Sequence, residues 1–243
     1  MDFITKIKNR YSVRSFDPDK KIPEEDYKKI IDVVNSAPTS SNWHSSSVVI
    51  IKDKELLEKI SEFRPFTKHL KDAQFFMVFI ADFNRMNLAQ KAFPEYKYNN
   101  HSSEAYTIAV GDAFIQSTMA QDAAVELGLS TCFIGGARVM VQFLIDILGI
   151  KGQAFPVVGL AVGYEKGKGT VRPKLNRVFE DKYDYERIKQ DVSEYDKTLV
   201  DFFEKISPDK KAWSYQEATV KSASGYAFDT ELIENIWDIK LQK

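Results

Sequence analysis

The chain has 243 residues, with 34 lysines and arginines against 35 aspartates and glutamates, so its formal net charge is −1. This balance gives no general electrostatic case for nucleic acid or an anionic membrane, and any anion site must be local. The single cysteine excludes an internal disulfide framework and a cysteine-rich metal site, and the three histidines, none at helical metal-ligand spacing, give little support to zinc catalysis.

The first distinctive stretch is NRYSVRSFD, residues 9–17. In an extended segment every second side chain points the same way. Arg10, Ser12 and Arg14 would then form a row of two cations and a hydroxyl, which is a surface suited to an anion. The alternative is a solvated edge strand whose charges protect it from pairing.

Two helices and two strands are predicted over the next 65 or so residues. Segment 22–36 has a proline near its start, acids in its first turn and apolar residues at helical spacing, which predicts a helix. The apolar runs SVVIIK (47–52) and QFFMVFIAD (74–82) predict buried strands. Between them, Asp53 is placed to cap a short amphipathic helix.

A long, alanine-rich helix is predicted over 107–129, with Gly128 as its end. It is apolar nearly all round, which is typical of a central, buried helix. The preceding segment, 86–103, has no clear period and is expected to be a loop or a mobile helical excursion. The mixture of helices and strands indicates an α+β protein with a single domain. The remaining predicted elements are strands at 130–136 and 156–164, a helix at 138–148 ending at Gly149, an amphipathic helix from Ile188 to Ile206 and a final helix at about 230–241.

Hydroxyls and an amide crowd into APTSSNWHSSS, residues 37–47, directly after the first predicted helix. One interpretation is a turn in which serine and asparagine side chains satisfy their own backbone. The other is a polar lining that hydrogen-bonds a heteroaromatic ring or a sugar-like chain. The polar residues concerned are Thr39, Ser40, Ser41 and Asn42.

Two later segments have similar character. In FIGGAR, 133–138, a buried strand runs into two glycines, which let a ligand approach backbone N–H donors, although most such pairs are simple turns. In VRPKLN, 171–176, Arg172 and Lys174 flank a proline that holds the backbone extended, and a solvated loop is the alternative. The sequence contains no dinucleotide-binding or P-loop glycine motif and no Ser/His/Asp set.

Together, the four segments offer four cations, several hydroxyls and a backbone donor patch, but no acid–base machinery. This combination suggests a cofactor that brings its own chemistry. Flavin mononucleotide (FMN) fits, with its phosphate on the cations, its ribityl chain on the hydroxyls and its ring against apolar and backbone groups.

In this order, the four segments resemble the nitroreductase / FMN reductase family, most closely its NADPH-preferring branch of flavin and nitro reductases, over about residues 5–215. RYSVRSF is similar to the family's N-terminal R-x-S-x-R motif, SAPTSSNWHSSSVVIIKD to its Ser-rich segment, and ADFNR to the end of the branch's second strand. GDAFIQSTMAQDAAVELGLSTCFIGGAR resembles the central helix followed by Y/F-I-G-G-x-R, and VVGLAVGY with RPKLN resembles the last core strand and basic loop.

The resemblance implies a nitroreductase-like, three-layer α-β-α sandwich with a mixed, mainly antiparallel sheet. Two subunits would interlock as a homodimer with FMN at the interface. Residues 1–243 would form one FMN-binding domain, of which 180–243 would be a helical C-terminal extension that packs on the partner subunit.

The resemblance also assigns roles to residues. Arg10 and Ser12 would contact the phosphate, and Arg14 would lie near the pyrimidine end of the ring. The serine-rich segment would line the ring or the ribityl chain, the glycines would present N–H groups near its reactive edge, and Thr67, where the branch often has glutamine, would face it. The implied cofactor-binding residues are Arg10, Tyr11, Ser12, Arg14, Thr39, Ser40, Ser41, Asn42, Thr67, Ile134, Gly135, Gly136, Arg172 and Lys174.

Arg172 and Lys174 would complete the phosphate clamp. The branch more often has Lys-Pro-Arg-Leu-Pro where this chain has RPKLN. Arginine and lysine have therefore exchanged positions, so both charges remain, but the planar guanidinium group and the ammonium group are interchanged. Lys210 and Lys211 lie where the branch places basic residues, and they are candidates for binding the NADPH 2′-phosphate. Two solvated lysines before a helix are the alternative.

The implied function is that of an FMN-dependent NAD(P)H oxidoreductase, an enzyme in which the flavin carries the chemistry. A nicotinamide would pass a hydride to the flavin and leave before an acceptor takes its place, and the acceptors implied are nitroaromatics, quinones or free flavin. A protein that binds FMN for storage or sensing, without turnover, is the alternative.

Other partners and the location follow from composition. No stretch approaches the roughly 20 apolar residues of a membrane span, and the start MDFITKIKNRYS lacks the pattern of a signal peptide. Neither nucleic acid nor a membrane is an expected partner, and the reducing cytoplasm is the expected location.

Overall fold

A computed structural model describes residues 1–225 and 228–239. They fall into two compact units, one of residues 1–169 with 228–239 and the other of residues 170–225. The boundary lies in the polar segment that follows the last strand, and the single FMN-binding domain expected over 1–243 stays a prediction.

The first unit is built on a four-stranded sheet whose pairs are all antiparallel within the described residues. The two central strands are buried along almost their whole length. Covering both faces of a strand removes the polar alternation, which explains why these strands read as continuous apolar runs. In the spatial order β1-β2-β4-β3, the strands are β1 (Ser46–Ile51), β2 (Phe75–Asp82), β4 (Ala154–Gly163) and β3 (Ser130–Ile134).

Nine α-helices and three short 3-10 segments occur in the described part of the chain. The 3-10 segments are Ser40–Asn42, Pro65–Asp72 and Gly135–Val139. The helices are α1 (Phe3–Asn9), α2 (Glu24–Asn35), α3 (Lys54–Glu62), α4 (Asn84–Ala92), α5 (Ser103–Glu126), α6 (Val141–Leu148), α7 (Tyr185–Ile206), α8 (Tyr215–Ser224) and α9 (Thr230–Trp237).

Helices cover both faces of the sheet. On one face, α2, α5 and α9 pack against side chains such as Phe79 and Leu160. On the other face, α3, α6 and the 3-10 segment Pro65–Asp72 pack against Phe76 and Val78. Successive residues of a strand point to opposite faces, so one strand supplies both apolar clusters. The predicted three-layer α-β-α sandwich is confirmed.

The central helix α5 begins four residues before its predicted start, where the Ser102 hydroxyl accepts a hydrogen bond from the Ala105 N–H (3.1 Å). It ends at Glu126, and Gly128 follows with a φ of +78°, a left-handed conformation that glycine adopts without strain. The core side of α5 is rich in alanine, which lets the helix lie close to the sheet.

The last helix packs in the core of its own chain. Trp237 has no exposed surface, and its ring centroid lies 5.6 Å from that of Phe83 and 5.6 Å from that of Tyr106. Asp238, with a φ of 53°, ends the helix short of the predicted boundary at 241. Residues 240 and 241 lie outside the described residues. Packing of the Thr170–Ala227 unit on a partner stays a prediction.

Candidate functional site

The opening segment alternates as predicted. Arg10, Ser12 and Arg14 are exposed, whereas Val13 and Phe16 are buried. The backbone of the segment follows the edge strand β3, because the N–H of Val13 donates to the carbonyl of Thr131 (3.0 Å). It is an extended segment held to an edge, so its outward face can be polar while its inward face joins the core.

The two arginines of this segment are not committed to a partner side chain among the described residues. Within residues 1–225 and 228–239, neither Arg10 nor Arg14 forms an ion pair or a hydrogen bond. Their charges still act on neighbours, since Arg10 works against the burial that raises the pKa of Asp122, and Arg14 does the same for the Cys132 thiol. An unpaired pair of guanidinium groups is available to an anion.

Tyr11, an expected cofactor contact, is turned away from this row. Its hydroxyl donates to the Glu165 carboxylate and accepts the N–H of Gly169 (2.7 Å). Burial, followed by the hydrogen bond to Glu165, raises the pKa of this phenol. A Cβ at Gly169 would overlap the Tyr11 ring, so the phenol packs directly on glycine backbone. In this position the Tyr11 side chain serves the fold, and only its backbone lies in the row.

Thr67 has no exposed surface. Its hydroxyl donates to the carbonyls of Arg64 (2.7 Å) and Ser61 (3.1 Å) and accepts the N–H of Arg64 (3.2 Å). The side chain therefore closes its own turn, and its contact with a flavin ring stays a prediction. A short β-branched hydroxyl bonds its neighbouring backbone readily, where a glutamine would extend further.

The 3-10 segment Pro65–Asp72 touches both the arginine segment and the glycine turn. At one end, the Phe66 ring lies so close to Gly136 that a Cβ there would overlap it. One turn later, the ring centroid of His69 lies 6.2 Å from that of Phe16. Burial, and then the charge of Arg14, lowers the pKa of His69 to about 4. No sequence pattern identifies Phe66 or His69 as site residues, apart from their nearness to Thr67.

The glycine turn begins where β3 ends at the buried Ile134. Gly135 is exposed and Gly136 half-buried, and the turn is fixed to β4 because the Arg138 guanidinium donates to the carbonyl of Val157 (2.9 Å). Gly135 and Gly136 therefore lie at a rigid strand end with their backbone close to solvent, as a backbone donor site requires.

The serine-rich segment is anchored to the central helix by a residue that the sequence analysis did not single out. The buried carboxylate of Asp112 accepts the N–H of Ser40 (3.1 Å) and the hydroxyl of Ser45 (2.5 Å). Ser41 and Asn42 have φ angles of 47° and 58°, so the turn is sharp. The Thr39 hydroxyl accepts the N–H of His44 (3.3 Å).

The side chains at the tip of this segment are unengaged. Ser40, Ser41 and Asn42 are exposed, and their side chains make no hydrogen bond within the described chain. Their anchor Asp112 lies ten residues before Asp122, whose pKa the charge of Arg10 affects. Ten residues of an α-helix separate these two positions by about 15 Å. One chain thus brings together Arg14, the segment Pro65–Asp72 and the glycine turn. Its serine-rich segment is anchored further toward the N-terminus of α5, at Asp112 rather than at Asp122.

In the second unit, Arg172 and Lys174 are exposed on either side of Pro173, whose carbonyl accepts the Tyr195 hydroxyl (2.8 Å). The Arg172 guanidinium lies 5.3 Å from the centroid of the Phe203 ring. The Lys174 ammonium forms no hydrogen bond, ion pair or ring contact with the described residues. The segment is therefore held from its apolar side, with both charges outward.

The two candidate lysines before α8 differ. Lys211 lies 3.0 Å from the Glu217 carboxylate and 4.0 Å from the centroid of the Trp213 ring. Lys221 approaches the same ring at 3.8 Å. The Lys210 side chain has no such partner in the part of the chain that the structure describes. Only Lys210 thus presents an uncommitted ammonium group.

The donor set fits a phosphorylated, ring-bearing ligand such as FMN. Unpaired guanidinium groups suit a phosphate, and an exposed glycine turn suits a flat ring that must approach backbone. Among the described residues, no group of three or more His, Cys, Asp and Glu side chains could hold a metal ion. None of the helices in those residues is both long and apolar enough to cross a membrane.

The fold and the site together define a class of α+β protein. Its antiparallel sheet is covered by helices on both faces, and unpaired cations and a rigid glycine turn lie beside its edge strand β3. Residues 7–164 match the model of the Nitroreductase family. The chain belongs to that family.

Relatives and solved structures agree with this assignment. The chain is 28% identical over 240 residues to the FMN reductase (NAD(P)H) of Bacillus subtilis (strain 168), which covers 96% of each chain. It is 27% identical over 220 residues to an NADPH-dependent oxidoreductase of Staphylococcus aureus (strain USA300), covering 86% of this chain and 87% of that one. The structure of the hypothetical oxidoreductase YcnD from Bacillus subtilis superimposes with a TM-score of 0.90 at 27% identity over the whole of both chains.

Proposed function

We propose that this protein is an FMN-dependent oxidoreductase that takes electrons from NADPH or NADH and passes them to nitroaromatics, quinones or free flavin. The family and the names of its relatives support an NAD(P)H-dependent flavin oxidoreductase. The observation that carries the proposal is the unpaired row of Arg10, Ser12 and Arg14, which the segment Pro65–Asp72 joins to the glycine turn.

Each group of residues has a physical task in this proposal. Arg10 and Ser12 would bind the phosphate, because charge-assisted hydrogen bonds are the strong ones. Arg14 would place a positive charge beside the ring and so stabilise negative charge that develops there. The backbone of the glycine turn would lie against the ring. The roles of Arg172 and Lys174 in phosphate binding rest on the family resemblance.

The redox chemistry itself would be supplied by bound FMN, which would carry electrons between the nicotinamide and an acceptor that would bind in turn in a ping-pong sequence. The chain needs no side-chain acid or base for this, in agreement with a site formed by cations, hydroxyls and backbone. Because NADPH and NADH are cytoplasmic reductants, the proposal places the protein in the cytoplasm.

A homodimer is part of the proposal. The serine-rich segment and Arg10 are anchored at levels of α5 about 15 Å apart, so a second copy of the chain would bring Ser40, Ser41 and Asn42 to the flavin. The outer face of α5 supports such an interface, since Phe114 and Ile115 are 42% and 43% exposed. Exposed apolar side chains on a central helix are unusual in a monomer.

The function is tested with purified protein. We expect a yellow protein whose flavin absorbance bleaches when NADPH is added anaerobically and returns when a nitroaromatic is added. Colour that persists under both NADPH and NADH would contradict the proposal. Tight yellow binding without nicotinamide oxidation would instead favour the FMN-storing or sensing alternative.

Arg10→Ala tests the phosphate role directly. Removing a charged hydrogen-bond donor costs about 1.5–3 kcal/mol, so the dissociation constant for FMN should rise roughly ten- to hundredfold. The neighbouring exposed cation on α1 offers a matched control, Lys8→Ala, which should leave FMN affinity and the circular dichroism spectrum unchanged. Equal FMN affinity in Arg10→Ala and the wild type would refute the assignment.

A further inference from the structure

Phe66 is an exposed aromatic residue in an unusually rigid setting. Its side chain is 39% exposed, yet the ring rests on the backbone of Gly136, where no other residue leaves room for it. Exposed side chains normally have rotameric freedom, and holding one in place has an entropic cost. A large apolar ring that is both exposed and fixed is therefore a candidate for ligand contact.

Two neighbours fix the backbone on either side of this ring. Pro65 precedes it and restricts the first residue of the 3-10 segment. Thr67 follows it, and its backbone N–H and hydroxyl both bond to Arg64 (3.0 and 2.7 Å). The buried hydroxyl of Thr67 thus closes the turn that projects Phe66 outward.

The surface beneath the ring is equally rigid. Gly136 belongs to the 3-10 segment Gly135–Val139, which Arg138 fixes to β4 through the carbonyl of Val157 (2.9 Å). Phe66 and Gly136 come from different parts of the chain, so an aromatic ring on glycine backbone here is a tertiary arrangement. The residue of the turn that precedes Gly136, Gly135, is exposed.

We propose that Phe66 is a specificity-determining residue whose ring forms an apolar wall against which a planar aromatic electron acceptor packs. The inference rests on the proposed function, since it concerns the acceptor side of the same site. Aromatic rings pack against one another in offset or edge-to-face arrangements that add to the effect of simple burial. A wall of this kind selects flat aromatic acceptors over small inorganic ones without requiring a hydrogen bond.

The first experiment measures binding without turnover. 4-Nitrobenzoate is titrated into the oxidised, FMN-loaded wild type and Phe66→Leu, and the perturbation of flavin absorbance is followed in the absence of reductant. We expect the dissociation constant to rise about three- to tenfold in Phe66→Leu. Phe93→Leu, which alters another exposed phenylalanine (59% exposed), should leave it unchanged.

Steady-state kinetics then separate acceptor from cofactor and donor. In Phe66→Leu the KM for a nitroaromatic should rise by the same factor, while ferricyanide reduction, the KM for NADPH and the dissociation constant for FMN stay at their wild-type values.

The outcomes distinguish this inference from the proposed function. A wild type that neither retains FMN nor is reduced by NADPH or NADH refutes the proposed function and this inference with it. A functional wild type with unchanged 4-nitrobenzoate binding in Phe66→Leu refutes only the role of Phe66. A change confined to NADPH or to FMN affinity also overturns that role, because the ring would then contact the donor or the cofactor.

Discussion

Among single side chains, His69 shows how strongly burial alters chemistry near the candidate site. It is 8% exposed, and its Nε2 atom is buried without a hydrogen-bond partner in the described residues. Burial, then the positive charge of Arg14, lowers the pKa of His69 from 6.5 to about 4, and the Asp72 carboxylate opposes this only weakly. At neutral pH the imidazole is therefore uncharged, and Arg14 supplies the positive charge there.

This shift makes a prediction about stability and pH. Between pH 6.5 and about 4 the unfolded chain binds a proton at His69 that the folded chain does not. The stabilising contribution of the uncharged His69 is therefore complete above pH 6.5. As the pH drops toward 4, the free energy of unfolding falls by up to about 3 kcal/mol because of this residue. In urea unfolding at pH 7 and pH 4.5, His69→Phe should lose less stability than the wild type.

A control accompanies this measurement. Tyr98→Phe removes another polar atom that is buried without a hydrogen-bond partner in the described residues, the Tyr98 hydroxyl. Its pH dependence should match that of the wild type. If the loss between pH 7 and 4.5 is the same in His69→Phe as in the wild type, the titration of His69 does not contribute.

The sequence predicted side chains well where a local pattern decided their direction. The outward row of Arg10, Ser12 and Arg14 follows from alternation alone and is confirmed. Tyr11 and Thr67 differ because their partners lie outside any pattern. Tyr11 bonds to Glu165, which is 154 residues away, and Thr67 bonds to the backbone of its own turn. A residue type tells what a side chain can bond, whereas the fold decides what it meets.

Among the helices and strands, predictability followed burial. α5, β2 and β4 carry long apolar runs and were predicted with small errors at their ends. α1, α4 and α8 bury no residue, so they leave no apolar stripe in the sequence, and they were missed or expected only as an excursion. Capping side chains such as Asp2 and Ser214 begin two of them, but a lone cap is too common to identify a helix.

The loop before α8 gives a prediction that separates two adjacent lysines. Lys211 is committed to Glu217 and Trp213, whereas the Lys210 ammonium is not. If this loop contacts the 2′-phosphate of NADPH, Lys210→Ala should remove an interaction worth about 1 kcal/mol. The value of kcat/KM for NADPH should then fall roughly fivefold. Lys211→Ala should have a smaller effect, because its charge is already largely balanced.

NADH provides the control within each variant, since it lacks the 2′-phosphate. The value of kcat/KM for NADH should be unchanged in Lys210→Ala. An equal loss with both nicotinamides would indicate a general effect on the loop, and a larger loss in Lys211→Ala would show that Lys211 leaves Glu217 to bind the phosphate. Either result would contradict a specific role for Lys210.

For the chain as a whole, the family resemblance predicted the layers but not the path of the C-terminal part. Four ordered motifs were enough to indicate the three-layer sandwich, which the Nitroreductase family match confirms. The division at Gly169 and the return of α9 to the first unit were not predicted. Trp237 has no periodic signature that distinguishes packing on its own core from packing on a partner, because both bury the same apolar face.

The proposed homodimer is tested on the outer face of α5. Phe114→Asp places a charge where an apolar contact between two copies is expected. Burying an unpaired polar group costs about 3 kcal/mol, so the dimer dissociation constant should rise roughly a hundredfold. Light scattering after size exclusion should show a dimer for the wild type and a monomer for the variant. Phe93→Asp, a charge at another exposed phenylalanine, should remain dimeric.

The same variant links assembly to cofactor binding. If Ser40, Ser41 and Asn42 serve the flavin of the partner subunit, monomeric Phe114→Asp should also lose FMN affinity, although Phe114 is exposed within its own chain. Its thermal unfolding without FMN, at a concentration where the wild type is also monomeric, should match the wild type. A folded monomer that binds FMN with wild-type affinity would show that one chain completes the site by itself, and the shared site would have to be abandoned.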